Sequence, residues 1–188
     1  MFLRREGTRD KVSLSSRLIL ITGGARSGKS QFAQSLAEAG AYQRRLFLAT
    51  AVACDAEMKS RIARHRRSRN GLWKTVEEPT DFPERIPSRF LQPGSFLLFD
   101  CLPTFTTNLL LAGHSEKKIK SKVKALLQVF CRPGVTALMV SNEVGLGLVP
   151  ENSLGRRFRD LLGTVNQQVA RSADEVYLLV AGIPMRVK

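Results

Sequence analysis

Apolar-rich runs alternate with amphipathic stretches along this chain. Residues 18–21, 46–51, 95–99, 135–140 and 175–181 are dense in Leu, Ile, Val and Phe. Such short, nearly continuous runs predict strands covered on both faces. Between them lie helical periodicities. Residues 30–39 carry Phe32, Leu36 and Ala39 at helical spacing, and Gly40 is the stop. Asp55 caps a helix through about Arg69 with Met58 and Ile62 on one face, and His65 follows Ile62 by three. Residues 104–111 read as helix. Residues 115–130 form another, capped by Ser115 and striped by Ile119, Val123, Leu126, Leu127 and Phe130. Asn152 caps a last long helix to about Ser172. Residues 73–79 form a short extended segment stopped by Pro79, and 183–188 add an edge.

This alternation predicts an α/β fold with a mostly parallel central sheet and helices on both faces. Ligands in such sheets sit beyond the carboxyl ends of the strands. Gly23, Thr50, Asp100, Asn142 and Glu143 all fall at those ends.

One stretch carries explicit chemistry. The first apolar run leads into Gly23-Gly24-Ala25-Arg26-Ser27-Gly28-Lys29-Ser30, a P-loop with its strand before and its helix after. Its glycines let successive backbone N–H groups turn inward around phosphate oxygens, at the positive end of a helix. Lys29 is placed to reach the β- and γ-phosphates, and the Ser30 hydroxyl to hold Mg²⁺. Asp100 closes the apolar strand 95–99, the natural position for a second Mg²⁺ ligand, direct or through water. The expected ligand is a nucleoside triphosphate, ATP or GTP.

Composition narrows the class. At 188 residues the chain is read as one domain over 17–188, preceded by a basic polar extension, 1–16, that lacks the apolar centre of a secretory signal. No apolar stretch is long enough to span a bilayer, so a cytoplasmic protein is expected. Cys54, Cys101 and Cys131 are odd in number and lack C-x-x-C spacing, which argues for reduced structural thiols. The net charge of +14 is spread along the chain without aromatic interleaving or a nucleic-acid module. Nucleic acid is therefore not an expected partner, although a nucleotide-regulated nucleic-acid binder is the competing reading from another class. Nucleotide binding accounts for only part of the charge.

Taken together, the motifs resemble one family. They are the P-loop segment 21–30, Asp55-x-Glu57-Met58, Arg61-Ile62-x-x-His65-Arg66 and Trp73-x-Thr75-x-Glu77-Glu78-Pro79. Further along come Asp100-Cys101-Leu102, Asn108-Leu109-Leu110, the segment 141–150, Arg157-Phe158-Arg159-Asp160 and Asn166-Gln167. The chain resembles the bifunctional adenosylcobinamide kinase/adenosylcobinamide-phosphate guanylyltransferases of cobalamin nucleotide-loop assembly, over about residues 17–188. The resemblance implies a RecA-like, three-layer P-loop fold, a homotrimer with active sites near subunit boundaries, and two reactions. In the first, the γ-phosphate of ATP or GTP goes to the aminopropanol hydroxyl of adenosylcobinamide. In the second, GMP from GTP passes to that phosphate through a histidine–GMP intermediate. A kinase without guanylyl transfer is the alternative within enzymes.

The family histidine corresponds to His65, which stands among Arg61, Arg64, Arg66 and Arg67, cations suited to a triphosphate. A neutral imidazole, abundant near pH 7, is the nucleophile a phosphoramidate needs. Arg64 stands where some relatives carry a second histidine, and the other histidine of the chain, His114, is expected at the surface. Glu77 and Glu78 are read either as metal or guanine contacts or as a solvated acidic turn, with Glu77 carried among the nucleotide-binding residues. Phe105 stands where relatives have tryptophan, and is expected to keep an aromatic surface for a ring or the corrin. Arg157, Arg159 and Asp160 suit either surface ion pairs or an intersubunit phosphate site.

Overall fold

The computed structural model describes residues 15–53, 56–67 and 71–188, without the side chains of 57, 58, 61, 64 and 65. Residues 1–14 of the extension, the Asp55 cap and the side chain of His65 lie outside what is described.

Seven strands form one sheet: β1 (Arg17–Gly23), β2 (Arg44–Ala49), β3 (Trp73–Glu77), β4 (Ser95–Asp100), β5 (Val135–Val140), β6 (Glu175–Val180) and β7 (Ile183–Arg186). Their order across the sheet is β3-β2-β4-β5-β1-β6-β7. The first six run parallel and β7 returns antiparallel to β6. The carboxyl ends of six strands therefore share one rim. The helices are α1 (Lys29–Ala39), α2 (Ala56–Arg67), α3 (Leu102–Leu111), α4 (Glu116–Phe130) and α5 (Ser153–Ser172).

Both faces of the sheet are covered, which is why its strands read as unbroken apolar runs. Leu18 and Leu20 of β1 pack with Phe99 of β4 against α3, α4 and α5. Ile19 and Ile21 point the other way, onto Ala33 and Ala37 of α1 together with Phe47 and Trp73. This α/β/α sandwich is the three-layer P-loop fold expected. Among the described residues, no helix is long and apolar enough to cross a membrane.

Some boundaries move for identifiable reasons. Strand β2 starts at Arg44 rather than 46, because parallel pairing with β4 begins at Arg44 opposite Ser95. Arg45 is useful there, since its guanidinium donates to the carbonyls of Ala37, Gly40 and Tyr42 and so satisfies the carboxyl end of α1. Helix α3 starts at Leu102, with Pro103 in the first turn, where a missing N–H costs nothing. The caps read from sequence form as expected. Ser115 accepts from Lys118 N, and the Asn152 side chain accepts from Gly155 N at 2.6 Å.

Phe105 departs from expectation. It is fully buried against Phe82 and Phe99 under α3, so its ring belongs to the core and faces no ligand. His114 is half-buried in the turn between α3 and α4.

Candidate functional site

The P-loop leaves β1 where the backbone is most tightly held. Gly23 has φ 149°, and a Cβ there would lie 2.5 Å from the Leu179 carbonyl of β6, so any side chain would push the two strands apart. Gly28 opens α1 at φ 92°, and Arg26 at the loop tip takes the left-handed region at φ 55°. Alternation of this kind turns backbone N–H groups into an anion-binding concavity. A second device holds the loop from below. The β6–β7 turn, Ala181-Gly182, donates the Gly182 N–H to the Ser27 carbonyl at 3.1 Å.

Lys29 is buried, and its ammonium donates to the Gly23 carbonyl at 3.0 Å and the Gly24 carbonyl at 2.5 Å. It thus lies folded along the inside of the loop it serves. One helical position later, the Ser30 hydroxyl approaches Asp100 Oδ2 at 3.5 Å. Strand β5 separates the strands that carry these groups, and Val140 and Asn142 at its end line the space between. A hydroxyl and a carboxylate are hard oxygen donors of the kind Mg²⁺ takes alongside phosphate oxygens. No group of three or more His, Cys, Asp or Glu side chains able to hold a metal occurs among the described residues. The pair therefore fits a cation bound mainly through a nucleotide better than a closed protein cage.

These groups line a cleft of about 880 Å³ along the carboxyl rim. Ala25 to Ser30 form one side, Asp100, Cys101, Pro103 and Thr104 the floor, and Glu77 with Ser60 and Ile62 of α2 the far wall. The volume and the mixture of apolar walls with convergent polar groups suit a nucleotide-sized ligand. Of the residues singled out in the sequence, 25–30, Glu77 and Asp100 therefore meet in one cleft, with Gly23 and Gly24 behind it. Helix α2, which carries His65, is a wall of the same cleft.

Several rim residues serve the scaffold. Thr50 Oγ1 bonds both backbone groups of Cys101, at 2.9 Å and 3.0 Å, and fixes the chain just after Asp100. Asn108 reaches back from α3 to the carbonyls of Thr50 and Pro79. Asn166 accepts from Ser141 and donates to the Asn142 carbonyl. Glu78 accepts from the N–H groups of Thr80 and Asp81, which resolves it as a turn residue, and Glu143 accepts from Gly145 N. Glu77 is ion-paired with Arg66 of α2, both side chains remaining substantially exposed. Arg157 pairs with Glu116, and Arg159 with its neighbour Asp160, as surface ion pairs.

Cys101 was read from sequence only as a structural thiol, yet it lines the cleft floor. Burial, with the Asp100 carboxylate beside it, pushes its pKa up to about 11, so it stays a neutral thiol at physiological pH.

Residues 19–187 match the family model described as cobinamide kinase / cobinamide phosphate guanyltransferase. The chain is 39% identical over 183 residues to the bifunctional adenosylcobalamin biosynthesis protein CobU of Escherichia coli, covering 91% of this chain and 99% of that protein. It is 42% identical over 170 residues to the corresponding CobP of Pseudomonas aeruginosa, covering 90% and 96%. Among solved structures it resembles an ATPase of a bacterial type III secretion system with TM-score 0.57 and 12% identity, over 90% of this chain and 54% of that one. It also resembles the EscN ATPase of enteropathogenic E. coli, with TM-score 0.60 and 14% identity, over 88% and 42%. At such identity these two likenesses speak for the P-loop ATPase fold alone.

Proposed function

The chain belongs to the cobinamide kinase / cobinamide phosphate guanyltransferase family, and from that premise we propose how its cleft divides the two reactions. The enzyme is bifunctional and works in cobalamin biosynthesis. Its substrates are nucleotide and cobinamide.

In the kinase reaction, the aminopropanol hydroxyl of adenosylcobinamide attacks the γ-phosphorus of ATP or GTP, and the nucleoside diphosphate leaves. The loop N–H groups of residues 24–29 hold the phosphate chain, and Lys29 turns from its carbonyl partners to the β- and γ-oxygens as charge moves onto the leaving group. Ser30 and Asp100 would hold Mg²⁺, which when bound offsets the negative charge of the phosphates.

In the transfer reaction, an imidazole nitrogen of His65 attacks the α-phosphorus of GTP, and pyrophosphate leaves. A phosphate oxygen of adenosylcobinamide phosphate then attacks the same phosphorus, the P–N bond breaks, and the imidazole is recovered with adenosyl-GDP-cobinamide as product. What supports this reading is that α2 walls the same cleft as the P-loop, with Ser60 and Ile62 lining the same space as Lys29 and Ser30. Glu77, on the rim beside α2, is assigned to the nucleotide.

The quaternary reading, carried by the family resemblance, is a homotrimer in the cytoplasm. What supports subunit association is a set of exposed apolar side chains on the loop leading into α5: Leu146, Leu148 and Val149, followed by Leu154. A monomer gains nothing from exposing them to water, and burial against a second subunit would remove that cost.

The covalent route is tested by isotope exchange. Labelled pyrophosphate should enter GTP in the absence of any cobinamide, and His65→Ala should abolish the exchange. Exchange that requires the acceptor would replace the covalent route with direct transfer.

A further inference from the structure

Helix α2 lines two cavities. Beside the nucleotide cleft, and sharing Ala51, Ile62 and Glu77 with it, lies a second cavity of about 500 Å³. Its remaining character comes from Lys59, Arg66 and Arg67 of α2. Lys59, Ile62 and Arg66 are spaced by three and four and so form one stripe of the helix, which Arg67 borders. The same dozen residues thus wall both cavities.

The charges there do not cancel. Arg66 is paired to Glu77 across the shared wall. Lys59 and Arg67 have no carboxylate partner among the described residues, and Arg67 is bonded only weakly to its own helix, Nε to the Ala63 carbonyl at 3.4 Å. Among the described residues, two cations without a carboxylate partner beside one neutralised pair leave a local charge matched to a phosphate dianion. Guanylyl transfer needs such a site. Its acceptor is a phosphate monoester, it must approach the α-phosphorus of the guanylyl group, and the P-loop is already committed to the triphosphate chain. A cavity that adjoins that cleft through three shared residues answers both needs. Its size admits a phosphate-bearing side arm and leaves a corrin ring at the mouth.

We propose that this second cavity, where α2 meets the ends of β2 and β3, is the docking subsite for the acceptor's phosphate, with Lys59 and Arg67 as its cationic ligands. The proposal rests on the transferase half of the family activity but not on a covalent histidine. Released pyrophosphate is the other phosphate that could use these cations, so it forms the second arm of the test.

Calorimetric titration without nucleotide separates these cases. Wild-type protein should bind cobinamide phosphate at least tenfold more tightly than cobinamide. In the doubly neutralised variant, Lys59→Gln with Arg67→Gln, that preference should collapse, while binding of pyrophosphate changes less than twofold. The charge-preserving exchange, Lys59→Arg with Arg67→Lys, should keep most of the preference. Absence of the preference in wild type, its survival in the neutralised variant, or its loss in the charge-preserving one would each overturn the subsite. So would an equal loss of pyrophosphate binding, which would give these cations to the nucleotide donor. Because binding is read without turnover, a failed His65 mechanism leaves the result interpretable.

Discussion

The Ser30 hydroxyl and the Asp100 carboxylate come within 3.5 Å of one another although they stand 70 positions apart in the chain. Two sheet pairings produce this meeting. β1 pairs β5, β5 pairs β4, and the registers carry Ile21 opposite Val140 and Val140 opposite Asp100. The P-loop and the Asp100 carboxylate are thereby fixed at one height on the rim, with only the end of β5 between them. Neither group is held by a flexible loop of its own.

Both reactions therefore depend on the same floor. Asp100→Asn and Lys29→Ala should each lower kinase and guanylyltransferase rates by about 10²–10³-fold, the usual effect of removing one charge-stabilising group. Neither should unfold the protein, since the P-loop backbone is anchored through Gly182. Parallel rate assays on the two half-reactions with a thermal melt would check this.

The neutral thiol on that floor gives a second outcome. With a pKa near 11, Cys101 is ionised at pH 8 about a hundredfold less than an ordinary cysteine. Exposed Cys131 should be alkylated by iodoacetamide before Cys101. Mass spectrometry of partly alkylated protein should find Cys101 slower than Cys131, although burial and Asp174 raise that thiol too, and slower still with bound nucleotide. Rapid labelling of Cys101 at neutral pH would contradict the neutral thiol described.

How far the sequence anticipates all this differs from one part to another. Apolar runs such as 18–21 and 135–140 mark the strands because a sheet covered on both faces leaves no polar alternation to misread. The P-loop is equally legible, since its glycines and Lys29 act within eight consecutive positions. What stayed hidden depends on partners far apart in the chain. Thr50 looked like a polar group free for ligand, but its hydroxyl is used by the backbone of Cys101. Glu77 and Glu78 are adjacent and identical, yet one faces the cleft and the other closes a turn. Phe105 could not be told from a ligand-facing ring until α3 was seen to lay it on Phe99.

At the opposite end of β6, Glu175 accepts from Arg17 Nε and from the Tyr177 hydroxyl, each at 2.6 Å. Burial would raise its pKa, but these two hydrogen bonds and the Arg17 charge overcome that and hold the carboxyl below its usual range. A carboxyl with a depressed folded pKa stabilises the protein above its unfolded value of about 4.3. That contribution is lost as pH falls through the folded value. Glu175→Gln should therefore be less stable than wild type at pH 7 by about 1 kcal/mol, a modest effect because Arg17 is half exposed. The gap should close between about pH 5 and pH 3. Urea unfolding of both proteins across that range would show it.

If the exposed leucines before α5 are covered by other subunits, placing a charge there should break the assembly. Leu146→Asp together with Leu148→Asp should convert a trimer to monomer in light scattering, with the monomeric fold retained by circular dichroism. A wild type that is already monomeric, or a variant that remains trimeric, would remove this loop from the interface.

The claim on which the mechanism turns is that His65 carries GMP between the two substrates. Protein incubated with Mg²⁺ and GTP labelled at the α-phosphate, then denatured, should retain label that is labile to acid and stable to alkali. Peptide mapping should place it at residue 65, and His65→Ala should carry none. A folded, GTP-binding wild-type protein that retains no label, or a His65→Ala variant that labels as well as wild type, would contradict the account.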